Sequence, residues 1–511
     1  VTGVQTCALP ISVVFAQRRV ERPSARRYTP PVSKPRIAGF GVLLSVATVL
    51  VGVALGWRGP VAAAAQSASA MPTFNGQVAA VLNANCVTCH RPGGVGPFSL
   101  LSYGDARSRA ARIKAVTASR SMPPWYADPR FGQFKNARGL TQAQIDLLSA
   151  WADGGAPEGT GVAPAAPTFA PEGWALSRPP DQVIELPFGE FDLPAAGEVP
   201  TFGVWLKPFR DERMVQAIQI RPSIEGAVHH SSLSLGALPA GTRIGRAQAF
   251  PGGPVLDGVA VTADGRPATT GGEQLTDRPI MFYVPGGGLL QFTDGLAKRF
   301  GRDDYLSWGL HLISPGRAAK LRIQVGFWFA KRYPHHEVRL MTLTERLTFD
   351  GREIPTNARG ERDFPTIAPG ATVEMVGSRR ITKDVTLYAL WPHMHYRGKD
   401  MTFILTEPNG KQTTLLAVPS YNPHWQLTYE LAKPLKIKRG SLLTAVGHYD
   451  NTAGNMHNPN PAAAVKFGPQ GTDEMYLPFI EVSVDDDDLR LEQFRMDSIG
   501  VGNGPTNPGR G

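Results

Sequence analysis

DVTLYALWPHMHYRGKDMTFILTEPNGKQTTLLAV, residues 384–418, joins two strand-like runs through a pair of histidines. Its opening, DVTLYALW (384–391), is a short β-branched and aromatic run of strand length. Its close, MTFILTEPNGKQTTLLAV (401–418), reads as a hairpin turning at Asn409-Gly410, since Asn-Gly tolerates the positive φ that tight turns require. Between them stands His393-Met-His395. At a strand end alternate side chains point to one face, so these two imidazoles can grip a single ion. Taken alone, the motif is also compatible with a structural role.

The same short runs, broken by Gly, Pro and Asn, extend from about Arg178 to Asp488, AKLRIQVGFWF (319–329) among them. With 55 Gly and 45 Pro in 511 residues, the chain favours turns and short strands over long helices. The expected architecture is multidomain: a small all-α domain at 72–159, a Pro/Ala linker at 160–177, and two all-β, jelly-roll-like sandwiches at 178–345 and 346–490. A tail without a fold follows at 491–511.

The net charge of +10 invites a nucleic-acid reading, but its distribution argues against one. Residues 1–66 hold Arg18, Arg19, Arg22, Arg26, Arg27, Lys34, Arg36 and Arg58 against Glu21 alone, leaving the rest of the chain near neutrality without a basic stripe. No nucleic-acid partner is expected. VTGVQTCALPI (1–11) resembles a translated sequencing adapter, and Cys7 is set aside with it. Within the arm at 12–71, the apolar run Ile37–Trp57 carries no charge, follows basic residues and precedes VAAAAQSASA. It reads either as a signal cleaved near Ala65 or as an inner-membrane anchor; both place the remainder outside the cytoplasm, in the periplasm or beyond.

Cys86 and Cys89 then remain, in Cys86-Val-Thr-Cys89-His90. Two thiols three residues apart can bond covalently to the vinyl groups of one haem c while the adjacent imidazole ligates iron. A bare CxxC also suits a redox disulfide or half a zinc site, but no second pair exists to complete zinc. Met122, in Ser-Met-Pro-Pro-Trp (121–125), is the candidate sixth ligand, with Met71 its nearby rival; two prolines hold it on a stiff loop. FNGQVAAVLNANCVTCH reads as a helix delivering the motif. LTQAQIDLLSAWADGGAPEG reads as a closing helix with Ile145, Leu148 and Trp151 on its buried face, stopped at Gly154 and Gly155. The segment Pro72–Gly159 resembles a class I-like cytochrome c module.

Ten of the eleven histidines lie after residue 228. His229-His230 is the weaker motif, because adjacent strand residues point oppositely and share an ion only at a bulge or strand end. The order of the pieces carries more than any one of them. Val228-His-His-Ser231, Leu310-His-Leu312, PHMHYRGKDM (392–401), HYDNTAGNMHNPNP (448–461) and Gly471-Thr-Asp-Glu-Met475 together resemble the peptidylglycine and dopamine monooxygenase family, the ascorbate-dependent type II copper enzymes.

That resemblance implies two copper ions, one held by His229, His230 and His311 and the other by His393, His395 and Met475. A thioether is a soft ligand that favours Cu(I), whereas zinc has no redox step to offer. It further implies O2-dependent hydroxylation of a C–H bond at the His393/His395/Met475 copper. The substrate is small or peptide-like, and the second electron crosses a solvent-filled cleft from the all-histidine copper. Electrons come from ascorbate or another donor, and the haem segment is a candidate relay. The sequence departs from the family in having no cysteine in this half, Ser231 and Ser232 after the histidine pair, Leu312 after His311, and Phe479 where peptide-amidating members carry tyrosine. His424, His448 and His457 are read as structural neighbours of the second copper motif. The alternative is a non-enzymic periplasmic electron-transfer or copper-binding protein.

Overall fold

The computed structural model describes residues 71–169, 173–268, 278–285, 287–356, 362–468 and 470–491. The adapter-like start, the apolar run 37–57 and most of the tail lie outside them. Among the described residues no helix is long and apolar enough to cross a membrane.

The chain is mostly β, 41% strand against 9% helix. The small helical part comprises Phe74–Val78 continuing into Ala79–Asn85, then Tyr103–Arg107, Ala110–Ala118 and Gln142–Asp153. The last helix starts where expected, because Thr141 caps it and Gln144 returns the bond to the cap. Ile145, Leu148 and Trp151 are all buried. Beyond them Gly154 ends the helix and Gly155 takes a φ of +83°, left-handed backbone that glycine adopts without strain. The Trp151 indole donates to the Pro157 carbonyl at 3.0 Å, tying the exit back to the core.

The first sandwich faces a six-stranded sheet with a four-stranded one. Its four-stranded sheet runs Glu198–Leu206, Tyr305–Ile313, Val228–Gly236, Arg278–Tyr283. Phe202, Leu233 and Trp308 from this sheet meet Val215, Leu321 and Phe327 from the other in one core. The second sandwich repeats the plan, with Arg339–Thr342, Phe479–Val484, Val385–Trp391 and Tyr429–Ile437 as its four-stranded sheet. Strand 401–418 pairing follows the hairpin reading, and Gly410 takes a φ of +85° at the turn. Arg339–Thr342 already pairs with the second sandwich, so the sheets change partners at residue 338 rather than at the expected 345.

Within the stretch expected to be a Pro/Ala linker, described residues on either side of 170–172 make contacts with the neighbouring parts. Trp174 is buried edge-on against Trp328, with ring centroids 5.7 Å apart, and Asn83 donates to the Pro164 carbonyl at 3.1 Å. One tryptophan in a proline-rich run is enough to anchor it, a signal that composition averages away.

The sandwiches meet through an aromatic stack and a buried ion pair. Phe282 of the first lies 4.5 Å from Trp391 and 4.9 Å from Phe479 of the second, centroid to centroid. Lys298 of the first is 3.4 Å from Glu481 of the second; burial pushes the ammonium pKa down and the carboxyl pKa up. The pair holds only because each charge answers the other. Lys298→Met is therefore expected to destabilise the protein by about 3–5 kcal/mol, leaving Glu481 buried and alone. Thermal and denaturant melts check it, and adding Glu481→Leu should restore most of the loss.

Candidate metal centres

Two neighbouring strands build the first cluster. In the pairing of Tyr305–Ile313 with Val228–Gly236, His311 sits opposite His230, and Leu312 then pairs with Val228, so His229 is the extra residue of a bulge. A bulge is what allows adjacent histidines to face one point. Ligand atoms of His229, His230 and His311 all lie within 4.8 Å of one another. His311 Nδ1 and His230 Nε2 are 3.0 Å apart, and His311 Nε2 is 3.2 Å from the Glu198 carboxylate. The His229 Nδ1 atom is buried with no hydrogen-bond partner among the described residues. An orphaned buried nitrogen is costly unless something accepts its lone pair. Burial, then the neighbouring His230 and His311, push the His229 pKa down to about 3, so the ring is neutral and ready to ligate.

The second cluster follows the strand Val385–Trp391. Alternation persists past its end: Met394 is buried in the sandwich core, while His393 and His395 project together with ring centroids 5.3 Å apart. Each imidazole is oriented from behind. His393 Nδ1 meets the Gln426 side-chain oxygen at 2.5 Å, and Gln426 Nε2 in turn donates to the Pro423 carbonyl. His395 Nδ1 meets the Asp473 carbonyl at 3.1 Å, which leaves its Nε2 buried and unpartnered among the described residues. Nδ1 protons engaged in this way turn the Nε2 lone pairs toward a metal.

Met475 rides on the segment that clasps both histidines. Glu474, fully buried, accepts from the backbone N–H groups of His395 at 3.0 Å and Arg397 at 2.7 Å, and the Leu477 N–H donates to the His393 carbonyl. Burial pushes the Glu474 carboxyl up to about 8. The Met475 carbonyl accepts from Tyr449 at 2.6 Å, which fixes the backbone at this position.

The clusters touch. His230 and His395 have ring centroids 6.3 Å apart at 24°, and both are buried. A solvent-filled cleft between the two groups, implied by the resemblance, is not what the structure has. The sandwiches are drawn together by the Phe282, Trp391 and Phe479 stack and by Lys298 with Glu481, and Tyr396 adds a bond to Glu198 at 3.3 Å.

In the helical part Cys86 caps the helix Ala79–Asn85, Cys89 and His90 follow in a turn, and the two thiols are not bridged. Burial pushes Cys86 up to about 12, with Cys89 adding to the rise, and burial raises Cys89 as well. His90 Nδ1 lies 3.2 Å from the Phe98 carbonyl, which again leaves Nε2 as the metal-binding atom. Met122 lines a cavity of about 680 Å³ with Trp125 and Ile145, and Cys86, Cys89 and His90 are not among its walls. Cys89 instead opens on a cavity of about 580 Å³ that also reaches Tyr283, Trp391, Gln426 and Phe479.

Comparison with known proteins agrees with the second sandwich. Residues 370–482 match the copper type II ascorbate-dependent monooxygenase, C-terminal domain. The match supports an enzyme of that general kind, using copper. No curated protein matches the chain. Among solved structures, a Paenibacillus xanthan lyase is 12% identical over 64% of this chain and 28% of its own, with a TM-score of 0.15. The tandem CBM22-1-CBM22-2 domain of Paenibacillus barcinonensis Xyn10C is 9% identical over 60% of this chain and 99% of its own, with a TM-score of 0.12. The chain thus spans 28% of the xanthan lyase it is compared with. Likenesses this distant have no bearing on the site.

Sequence reasoning did not find Gln426, Glu198 or Tyr396, and His424, read as a neighbour of the second motif, lies 6.0 Å from His229 of the first. Tyr396, like Asp473 and Glu474, lies inside a motif of the sequence that by itself points to no role for it. Gln426→Leu removes the acceptor that sets the His393 ring while keeping its size. Copper affinity at the His393/His395 pair is expected to fall roughly 10–100-fold, measured by chelator competition, with the all-histidine cluster unaffected.

Proposed function

We propose that this protein is an exported haem- and copper-dependent oxidoreductase that uses O2 to hydroxylate a C–H bond of an organic substrate. One observation carries the reading. Two imidazoles fixed through Nδ1, one with its Nε2 buried and without a partner among the described residues, stand in the segment that matches a copper monooxygenase domain, clasped by the loop that bears Met475.

The donor sets fit the groups they imply. His229, His230 and His311 offer three imidazoles to one copper, and His393, His395 and Met475 offer two imidazoles and a thioether to another. Copper bound there supplies one-electron redox steps and the activation of dioxygen. The chain's own part is positioning. Gln426 and the Asp473 carbonyl hold the two rings of the second site, and Glu474 ties the backbone of the Met475 segment to that of the histidines. The stacked rings of Trp391 and Phe479, 4.8 Å apart, form an apolar wall behind His393 that excludes water from one side. The cavity of about 580 Å³ beside that wall has the size for a small organic substrate.

Cys86, Cys89 and His90 fit a covalent haem c, while Met122, the sixth-ligand candidate of the sequence, lines a different cavity from the one Cys89 opens on. Haem there supplies a one-electron carrier, which makes a redox protein as well as ascorbate an acceptable donor. Cys89 and Gln426 line the same cavity, so the haem-binding turn faces the support of His393. Export follows from the need to attach haem and from the basic, then apolar, segment ending at Trp57, by which the protein is secreted or anchored.

The decisive measurement is copper stoichiometry with electron paramagnetic resonance, then oxygen uptake driven by ascorbate, on the wild type and on Met475→Ala. Two type II coppers and an uptake that falls at least about a hundredfold in the variant are expected, a loss of the size seen when one preorganised transition-state group is removed. One copper, or uptake indifferent to Met475, leaves the electron-carrier reading in its place. For the haem, a ferrohaemochrome spectrum lost in Cys86→Ala is expected. Stopped-flow mixing with dioxygen should show haem reoxidation on the catalytic timescale only when copper is loaded.

A further inference from the structure

A line of metal-binding side chains leads from the surface to the all-histidine cluster. Met456 is 89% exposed. His457, its neighbour in sequence, is half-buried, with its ring centroid 5.4 Å from that of His424, which is exposed. His424 is 6.0 Å from His229, and His229 is 5.0 Å from His311 and 5.6 Å from His230. With metal–nitrogen bonds of about 2 Å, one ion between two imidazoles leaves their centroids roughly 6 Å apart. Every step between histidines is within that span, and Met456 precedes the outermost of them in sequence.

Local bonds fix the two loops that carry these residues. The His424 N–H donates to the Asn422 side chain, and Asn422 in turn donates to the Tyr126 hydroxyl at 3.0 Å. The His457 N–H donates to Asn455, whose amide also bonds the carbonyls of Tyr396 at 3.1 Å and Asp450 at 2.9 Å. Among the described residues the ring nitrogens of His424 and His457 have no hydrogen-bond partner, so no protein group competes for them. A thioether as exposed as that of Met456 adds nothing to a core, yet it is the side chain that selects Cu(I) from harder ions. The Glu198 carboxylate, beside His311 and Tyr396, sets a negative charge at the inner end of the line.

We propose that Met456, His457 and His424 form a copper entry site. It captures Cu(I) from a donor at the surface and passes it to His229, His230 and His311. The transfer is ligand exchange: a copper–nitrogen bond to His424 breaks as one to His229 forms, copper stays Cu(I), and no electron moves. Resting on the reading that the all-histidine cluster holds copper, the inference adds a third, transient site and a direction of loading.

The test uses the full chain stripped of copper, mixed anaerobically with Cu(I) held by a chromogenic chelator. Chelator colour gives the rate of uptake, and electron paramagnetic resonance after oxidation gives the final occupancy of the cluster. In Met456→Ala/His457→Ala and in His424→Ala, the initial rate is expected to fall about tenfold or more, as when a metal-orienting group is lost, with final copper and spectrum unchanged. His335→Ala, an exposed histidine elsewhere, should load at the wild-type rate. Unchanged rates in both variants overturn the entry site. Lower final copper and an altered cluster spectrum in His424→Ala also overturn it, by making His424 a resident ligand. A wild type that takes no copper into the cluster refutes instead the function on which the inference rests.

Discussion

His230 and His395 belong to different sandwiches, yet their rings face each other 6.3 Å apart in a region closed to solvent. Imidazoles do not attract one another, and burying several of them side by side disfavours any positive charge they might take up. Something else must supply the free energy of bringing them together. Phe282 against Trp391 and Phe479 gives the apolar area, and Lys298 with Glu481 gives a charge pair that is tolerable only when both sandwiches are in place. The two clusters are thus neighbours because of contacts made away from them.

That arrangement makes the histidines a strained polar island. His229 Nδ1 and His395 Nε2 are both buried without a hydrogen-bond partner among the described residues, and each would cost the fold on the order of 1–3 kcal/mol if nothing met it. Native interiors rarely leave such atoms without a partner. A cation at each site would remove the cost, and metal binding would then be coupled to stability.

Much of this is legible in the sequence. The strands 319–329 and 385–391, the hairpin at Gly410 and the closing helix with its three buried residues follow from local pattern, and the structure has each of them. His393 and His395 fall together because period-two alternation is a property of the chain itself. His229 and His230 were harder: their joint use required a bulge, and the bulge exists only because Leu312 pairs with Val228. Gln426 shows no signal at all in the sequence, since it reaches His393 through a loop 33 residues away that has no periodicity to read. His424 was assigned by nearness in sequence to the second motif, whereas the fold turns its ring toward the first. Long-range geometry decides these cases, and one sequence alone does not encode it in a readable form.

The helical part has a fixed place in the same scheme. Phe134 bridges to Leu431 at the edge of the second sandwich, Trp125 packs 4.9 Å from Tyr429, and Asn136 donates to the Thr428 carbonyl at 2.7 Å. Those contacts hold the turn that carries Cys89 across the cavity from Trp391 and Gln426. A tethered module free to swing would sample that position only part of the time, and its effective concentration there would depend on linker length. Here the linker is pinned by Trp174 and the module by backbone and ring contacts, so whatever the CxxCH turn carries is presented to the His393 side of the second sandwich in one orientation. Tyr429 and Gln426 lie on the same stretch of chain, so the Trp125 contact and the bond that orients the His393 ring are carried by one segment.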